Sequence, residues 1–265
     1  MKVPFPVRVL PSLTFRAWLT PPPLGSGTAS RDRASVADLA PVFFGGVSGY
    51  EIGSGPVALA VHGWGGRAAQ MAAVARRLAD AGFRVVVPDL PGRAGGPQTD
   101  IKQVAAAVQD VIEDVGAPEV VVGHSFASMA LRLVFGETAP DHVVLMAPAL
   151  DVNDALEVFG NRLRLLPWAR TGLRRRLETW DPVLWPTLSH LHPTQFPGAE
   201  VLILHDPGDG ETPFARSAEL AAIRPGTSII AVDGAGHSRI LSNTVALDQI
   251  VSHVTVRAVG RESAA

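Results

Sequence analysis

A serine, an aspartate and a histidine occur in the order and the local contexts that nucleophilic catalysis uses. Ser125 lies in the string GHSFA, Asp209 in DPGDG and His237 in DGAGH. A serine hydroxyl is a poor nucleophile near neutral pH, so it needs a nearby base that an acidic group orients. These residue types predict Ser125 as the nucleophile, His237 as the general base and Asp209 as the orienting acid.

Each of these three residues closely follows a strand-like run of apolar residues. In an open parallel sheet, the loops beyond the carboxyl ends of the strands converge on one edge. We therefore expect the three side chains to meet there, although many residues separate them in the sequence. The three runs are Val120–Val122, Val201–His205 and Ser228–Val232.

Each of the three residues also has a simpler interpretation that the residues alone leave open. Ser125 stands between a strand-like run and the helical pattern Ser125–Phe135, which suits a sharp turn that exposes the hydroxyl but also suits a helix N-cap. Asp209 and His237 are also ordinary residues of surface turns. Asp206, three residues before Asp209, competes with it as the acid.

The string HGWGG at residues 62–66 directly follows the strand-like run Pro56–Val61. Acyl transfer places negative charge on a carbonyl oxygen, and about two preorganised N–H donors stabilise that charge. The backbone N–H groups of Trp64 and Phe126 are the predicted donors, since the glycines beside Trp64 allow its amide to point inward. The string contains no G-x-G-x-x-G, and no G-K-[ST] follows it, so no nucleotide cofactor is predicted.

From about Pro41 onward, short Val/Leu/Ile-rich runs alternate with longer segments of helical period, which predicts an α/β fold. The runs are nearly continuous in apolar residues, as expected where helices cover both faces of a mostly parallel sheet. This alternation of strand-like and helical segments stops at 148–197, where the composition is helical, so we predict an inserted helical cap. The predicted domains are an N-terminal extension at 1–40, an α/β core at 41–147 and 198–265, and the cap at 148–197.

The composition argues against several classes of function. The 265 residues carry a net charge of −2 and no cysteine, which disfavours nucleic-acid binding, disulfides and thiolate metal sites. The apolar runs are far shorter than the roughly 18 residues of a membrane span, and prolines interrupt the N-terminus where a signal peptide needs an apolar region. We therefore predict a cytoplasmic protein without a membrane span. A short helix at Pro11–Thr20 is predicted to pack on the fold, and a helix lying on a membrane surface is the alternative.

Other polar residues receive structural interpretations. His62 and His124 are predicted to be neighbours of the site that hydrogen-bond loops. The run Arg174–Arg176 is predicted to be a solvated helix face, with attraction of a substrate anion as the alternative. No metal site is predicted, and the alternative is a metal cluster formed by four side chains, which are His205, Asp206, Asp209 and His237.

Taken together, the strings resemble those of α/β-hydrolase-fold serine hydrolases over residues 41–258. The strings VHGWGGRAAQM, GHSFA, LHDPGDGETPF and GAGHSRIL are similar to those of a bacterial group with a proline-containing N-terminal extension. The usual spacing in the family, with the acid shortly before a Thr-Pro pair, favours Asp209 over Asp206. The sequence departs from the family at Ala127, where glycine is usual. The resemblance implies the same site residues, which are Ser125, Asp209, His237, Trp64 and Phe126.

The predicted function is hydrolysis of a carboxylic ester with a partly apolar acyl group, through an acyl-enzyme and without a metal or cofactor. The predicted partner is a small-molecule acyl substrate, and the sequence carries no signal of oligomeric state. The enzymatic alternatives are cleavage of a thioester, amide, lactone or carbon–carbon bond next to a ketone, and the other alternative is a catalytically weak ligand-binding protein. Six apolar residues of the cap either line an acyl pocket or pack the cap on the core, and these are Leu163, Leu165, Leu166, Trp168, Trp180 and Trp185.

Overall fold

A central sheet of eight strands organises residues 11–255, which are the residues that this computed structural model describes. The strands are β1 (Ala40–Phe44), β2 (Val47–Ile52), β3 (Val57–Val61), β4 (Arg84–Pro88), β5 (Val120–His124), β6 (His142–Met146), β7 (Glu200–His205) and β8 (Thr227–Ala231). Across the sheet their order is β1-β2-β4-β3-β5-β6-β7-β8. The β1–β2 and β2–β4 pairs are antiparallel and the other five pairs are parallel, which confirms the predicted α/β class.

Helices connect most of these strands. They are α1 (Pro11–Trp18), α2 (Thr28–Ser35), α3 (Ala72–Asp80), α4 (Ile101–Val115), α5 (Ala127–Val134), α6 (Val152–Arg162), α7 (Pro167–Trp180), α8 (Leu184–Leu188), α9 (Phe214–Ile223) and α10 (Thr244–Thr255), with 3₁₀ turns at Ala68–Met71 and Arg239–Ser242. Among the residues described, no helix combines the length and apolar character needed to cross a membrane.

The central strands are apolar on both faces because helices cover both faces. In β5, Val121 belongs to a core that includes residues of α4 and α5, whereas Val120 and Val122 belong to a second core with residues of α3 and α10. All three valines are fully buried. Successive strand residues point to opposite faces, so an uninterrupted apolar run is what this position requires.

The antiparallel hairpin β1–β2 at one edge of the sheet is not among the predicted elements. Its strands are largely exposed or half-buried, so their sequences lack a continuous apolar run. The two-residue turn Gly45-Gly46 has φ values of 46° and 89°, which glycine adopts without steric cost. A Gly-Gly pair between two short runs is a hairpin signal, and it is the one feature from which the hairpin could have been found.

The predicted insertion at 148–197 contains α6, α7 and α8, between β6 and β7. The predicted helix at Pro11–Thr20 is present as α1 and packs against α7, while α2 packs against the 3₁₀ turn that precedes α3. The division of the chain into extension, core and cap stays a prediction. Residues 1–10 of that extension and 256–265 of that core lie outside the described residues.

A buried arginine joins the insertion to α5. Arg132 lies on α5, and its guanidinium donates hydrogen bonds to the carbonyl oxygens of Leu150, Thr187 and His190 at 2.8–3.0 Å. Leu150 precedes α6 and His190 follows α8, so the side chain holds both ends of the insertion. A buried guanidinium needs such acceptors because an unpaired buried charge is costly.

Candidate active site

Ser125 occupies a sharp turn between β5 and α5. Its φ of 55° is in the left-handed region, which is strained for a residue other than glycine. The turn is fixed by hydrogen bonds from the Ser125 N–H to the Met146 carbonyl and from the Ala149 N–H to the Ser125 carbonyl, both 3.0 Å. Because of this turn, α5 begins at Ala127 rather than at Ser125 as predicted.

Ala127, at a position where the resembled family usually has glycine, is accommodated at the same turn. Ala127 is fully buried and lies close to Gly123, where an added Cβ would be 3.7 Å from the Ala127 Cβ and 2.5 Å from a Leu131 methyl group. The glycine at position 123 therefore supplies the space at which strand and helix meet.

The structure brings Ser125, His237 and Asp209 together at the carboxyl edge of the sheet. His237 Nε2 lies 2.9 Å from Ser125 Oγ, and His237 Nδ1 lies 2.8 Å from Asp209 Oδ2. These are hydrogen-bond distances, and they fit a chain in which Nδ1–H donates to the carboxylate while Nε2 accepts from the hydroxyl. The arrangement leaves Nε2 free to take the hydroxyl proton.

Asp209 is held as a carboxylate by five donors. Burial alone would raise the pKa of Asp209, but hydrogen bonds from His205, His237 and the Glu211 N–H outweigh that effect and hold the pKa well below its usual value. Oδ2 accepts from His237, from Thr212 Oγ1 at 2.9 Å and from His205 Nε2 at 3.3 Å. Oδ1 accepts the backbone N–H groups of Glu211 and Thr212. The carboxyl group is therefore charged throughout the neutral range and is fixed in direction.

Asp206, which competes for the acid role in the sequence, has a different function in the fold. One of its oxygens accepts the Gly208 N–H at 2.8 Å, and the other accepts the Gly236 N–H. Gly236 immediately precedes His237, so Asp206 anchors the loop that carries the imidazole. Hydrogen bonds from Gly236 and Gly208 lower the pKa of Asp206, which keeps this anchor charged.

Trp64 and Phe126 both line the cavity that contains Ser125. Their rings are in edge-to-face contact with centroids 5.2 Å apart. The neighbouring glycine amides are occupied, because the Gly65 N–H donates to the Gly92 carbonyl and the Gly66 N–H to the Gly63 carbonyl. Within residues 11–255, neither the Trp64 N–H nor the Phe126 N–H donates a hydrogen bond to a backbone carbonyl of a turn or loop.

Most of the chain matches one family of proteins. Residues 58–249 match the model of the alpha/beta hydrolase family, a range that includes all five predicted site residues. This chain belongs to the alpha/beta hydrolase family. A search among curated proteins gives no match.

Solved structures share the fold of this alpha/beta hydrolase at low sequence identity. A candidate lipase from Acinetobacter baumannii AYE has a TM-score of 0.61 and 16% identity over 91% of this chain and 99% of that chain. An esterase from Exiguobacterium antarcticum has a TM-score of 0.56 and 16% identity, with coverage of 77% and 94%. A meta-cleavage product hydrolase from Pseudomonas fluorescens IP01 has a TM-score of 0.54 and 16% identity, with coverage of 82% and 97%. These likenesses show the fold alone.

His62 and His124 of this alpha/beta hydrolase are buried and bind loops. His124 Nε2 lies 2.9 Å from the His237 carbonyl, and His62 contacts the Gly63 carbonyl and accepts the Leu90 N–H. Burial lowers the pKa of both imidazoles, that of His124 to about 4. Both are therefore neutral near pH 7.

The buried His124 predicts a loss of stability in acid. Its pKa is about 4 in the folded chain and 6.5 as an ordinary value, so the unfolded chain binds more protons between these values and stability falls as pH drops below 6.5. We expect His124 to lower the free energy of unfolding by about 2 kcal/mol between pH 7 and pH 5. Urea unfolding at both pH values checks this, since His124→Gln should flatten the dependence by that amount. His192→Gln, at an exposed histidine, is the control, and an equal effect of both variants would contradict the assignment.

Two further polar side chains lie close to the site: His205, which the sequence analysis names only in the metal alternative, and Glu211, which it does not name. His205 is fully buried behind Asp209, and its Nδ1 lies 2.7 Å from Ser217 Oγ. Glu211 forms an ion pair with Arg162 at the cavity, and its Oε2 lies 3.8 Å from His237 Nε2. The sequence offered a signal only for His205, which ends a strand just before the acid loop. Within the described part of the chain, no three His, Asp or Glu side chains are arranged to hold a metal ion.

A cavity of about 500 Å³ opens onto Ser125 between the sheet edge and the insertion. Of the six apolar residues named from the sequence, Leu163, Trp180 and Trp185 line it. Leu165 lies in a separate groove, and Leu166 and Trp168 are at the surface. The cavity wall is rich in large apolar side chains, including Trp18, Phe126, Met129, Phe159, Trp180 and Trp185.

Proposed function

We propose that this protein is a serine hydrolase that cleaves a carboxylic ester through an acyl-enzyme. The observation that carries the proposal is the hydrogen-bonded chain from Ser125 Oγ through the His237 imidazole to the Asp209 carboxylate. A general base at 2.9 Å from a strained, half-buried serine that lines the cavity is the arrangement that activates a hydroxyl for attack on a carbonyl carbon.

The reaction follows from the positions of these groups. His237 Nε2 takes the Ser125 proton as Oγ attacks the ester carbonyl, and the N–H groups of Trp64 and Phe126 stabilise the resulting oxyanion. The tetrahedral intermediate collapses, the bond to the alcohol oxygen breaks, and His237 returns the proton to that oxygen. Water then repeats both steps on the acyl-enzyme and releases the acid. Asp209 orients the imidazole and stabilises its charged form.

The electrostatics of the cavity support an uncharged acyl group. Several of its acidic side chains already have partners in the described structure, since Asp181 pairs with Lys102 and both Asp154 and Asp151 pair with Arg216. The Arg162 guanidinium of the wall likewise pairs with Glu211. A charged acyl group of either sign would therefore meet few free partners, which makes its burial costly. An ester with an at least partly apolar acyl group fits the wall.

Turnover of p-nitrophenyl esters of increasing chain length, with a matched thioester panel, tests this function. We expect saturable release of p-nitrophenol, with higher kcat/KM for esters than for thioesters of the same acyl group. Faster thioester turnover would instead support the thioesterase alternative. Binding without any release would support the catalytically weak ligand-binding alternative.

His205 is proposed as a positioning residue behind the acid. His205→Phe removes a donor to the Asp209 carboxylate, and a hydrogen bond to a charged group is worth about 1.5–3 kcal/mol, so we expect kcat to fall about 10- to 100-fold. KM should change little because the imidazole does not line the cavity. Steady-state kinetics on the best ester measures both quantities.

A conservative variant separates positioning from packing. His205→Gln retains a donor and should recover most of kcat, whereas His205→Phe should not, even if both have the same melting temperature. His253→Gln, at a partly buried histidine on α10, is the control for loss of an imidazole elsewhere. Equal kcat in the wild type and a folded His205→Phe variant would remove His205 from the account.

A further inference from the structure

The segment before the first strand forms part of the substrate cavity. Residues 17–20 and Pro22 line it together with Ser125 and His237. This wall comes from a part of the chain outside residues 58–249, which match the family model. It therefore differs in origin from the strand-end loops that carry the site.

Aromatic contacts attach the start of this segment to the insertion. The Trp18 ring meets Phe159 of α6 edge-on, with centroids 5.2 Å apart, and Phe15 meets Trp180 of α7 in the same way at 5.6 Å. The Arg176 guanidinium lies 4.8 Å from the centroid of the Phe15 ring. Edge-to-face pairs and cation–π contacts of this kind favour one relative placement of the two elements.

Hydrogen bonds attach the end of the segment to the core. The Thr99 N–H donates to the Leu19 carbonyl, and the Gly95 N–H donates to the Pro22 carbonyl, both at 2.9 Å. The Gln98 amide donates to Thr20 Oγ1, also at 2.9 Å. The segment is thus fixed at both ends and spans the cavity from the insertion to the loop after β4.

The segment also contacts the loop that carries Trp64. A Cβ added at Gly65 would lie 2.4 Å from a Pro22 ring carbon, and Gly65 has a φ of 68°. Only glycine fits at this position, since both the backbone conformation and the space exclude a side chain. The segment is therefore packed directly against the residue next to a proposed oxyanion donor.

We infer that Trp18 is a specificity-determining residue that limits the size of the acyl group in the cavity, an inference that rests on the proposed esterase function. Trp18 is half-buried and lines the cavity with Phe159, which its ring contacts. Its indole is the largest side chain that the segment contributes to the wall. Its removal lengthens the space available to an acyl chain, and a larger side chain at Ala17 shortens it.

Two substitutions that should change the chain-length preference in opposite directions test this inference. We expect Trp18→Ala to raise the ratio of kcat/KM for p-nitrophenyl dodecanoate to that for the butyrate about tenfold, and Ala17→Phe to lower it by a similar factor. Trp18→Phe, which keeps an aromatic ring, should lie between Trp18→Ala and the wild type. Leu13→Ala is the matched control, because Leu13 lies on the same helix, is 53% exposed and does not line the cavity.

The outcomes separate this inference from the proposed function. Alkyl fluorophosphonates of the same chain lengths report the same selectivity through their rates of reaction with Ser125, so the inference has a readout besides turnover. If the wild type neither reacts with these probes nor hydrolyses any ester, the proposed function fails. If the wild type reacts, but Ala17→Phe and a folded Trp18→Ala leave the chain-length ratio at the wild-type value, the inference alone is overturned.

Discussion

His237→Ala is expected to lower kcat by about 10⁶-fold, with KM changed little. The imidazole is the only group in the described structure within hydrogen-bond distance of Ser125 Oγ, so its loss leaves the hydroxyl without a base. Groups of this kind act as a unit, and removal of one member costs nearly as much as removal of all of them. Steady-state kinetics on the preferred ester measures the decrease, with the circular dichroism spectrum confirming that the variant is folded.

The control for the expected effect of His237→Ala is a comparison of the single variants with the double variant. Ser125→Ala should reduce kcat by a similar factor, and the double variant should be no worse than either single variant. If kcat of the double variant fell by the product of the decreases in the two single variants, the two residues would act independently. That result would contradict a hydroxyl activated by the imidazole.

Asp209→Asn is expected to lower kcat by about 10⁴-fold while the fold is kept. An amide cannot accept all five hydrogen bonds that the carboxylate accepts, and it does not stabilise the charged imidazole. An amide nitrogen facing Nδ1 also favours the wrong tautomer of His237, in which Nε2 carries the proton and cannot act as the base. The variant is compared with the wild type by kcat on the same ester.

Asp206→Asn provides the matched control for the acid. It changes a carboxylate three residues away that accepts the Gly208 N–H of its own loop and the Gly236 N–H of the His237 loop, and the remaining carbonyl oxygen still accepts one of them. We expect kcat to fall by about tenfold or less, consistent with a small displacement of the loop. The reverse order, with Asp206→Asn the more damaging substitution, would assign the acid role to Asp206.

The parts of the molecule that the sequence predicts are those with a local signal. The buried strands follow from uninterrupted apolar runs, and the meeting of Ser125, Asp209 and His237 follows because parallel strands end at one edge. The order of the three loops along the chain is enough to place the three side chains, since the sheet topology brings the ends of the parallel strands to one edge. The structure has the His237 imidazole within hydrogen-bond distance of both Ser125 and Asp209.

The parts that the sequence does not predict depend on contacts between distant segments. Nothing near Trp18 in the sequence indicates that it lies against Phe159. The position of His205 just before the acid loop does not distinguish an imidazole that faces the acid from one that binds a metal. The role of Asp206 was equally hidden, because its partner Gly236 belongs to another loop. Such contacts are set by how the insertion and the N-terminal segment pack, which has no periodic signature.

Labelling with a fluorophosphonate, followed by mass spectrometry of the peptides, tests whether Ser125 is the nucleophile that His237 activates. We expect a single phosphonyl adduct on Ser125 in the wild type, no adduct in Ser125→Ala and a much slower reaction in His237→Ala. An adduct on another residue, or labelling of Ser125→Ala at the wild-type rate, would contradict this role of Ser125.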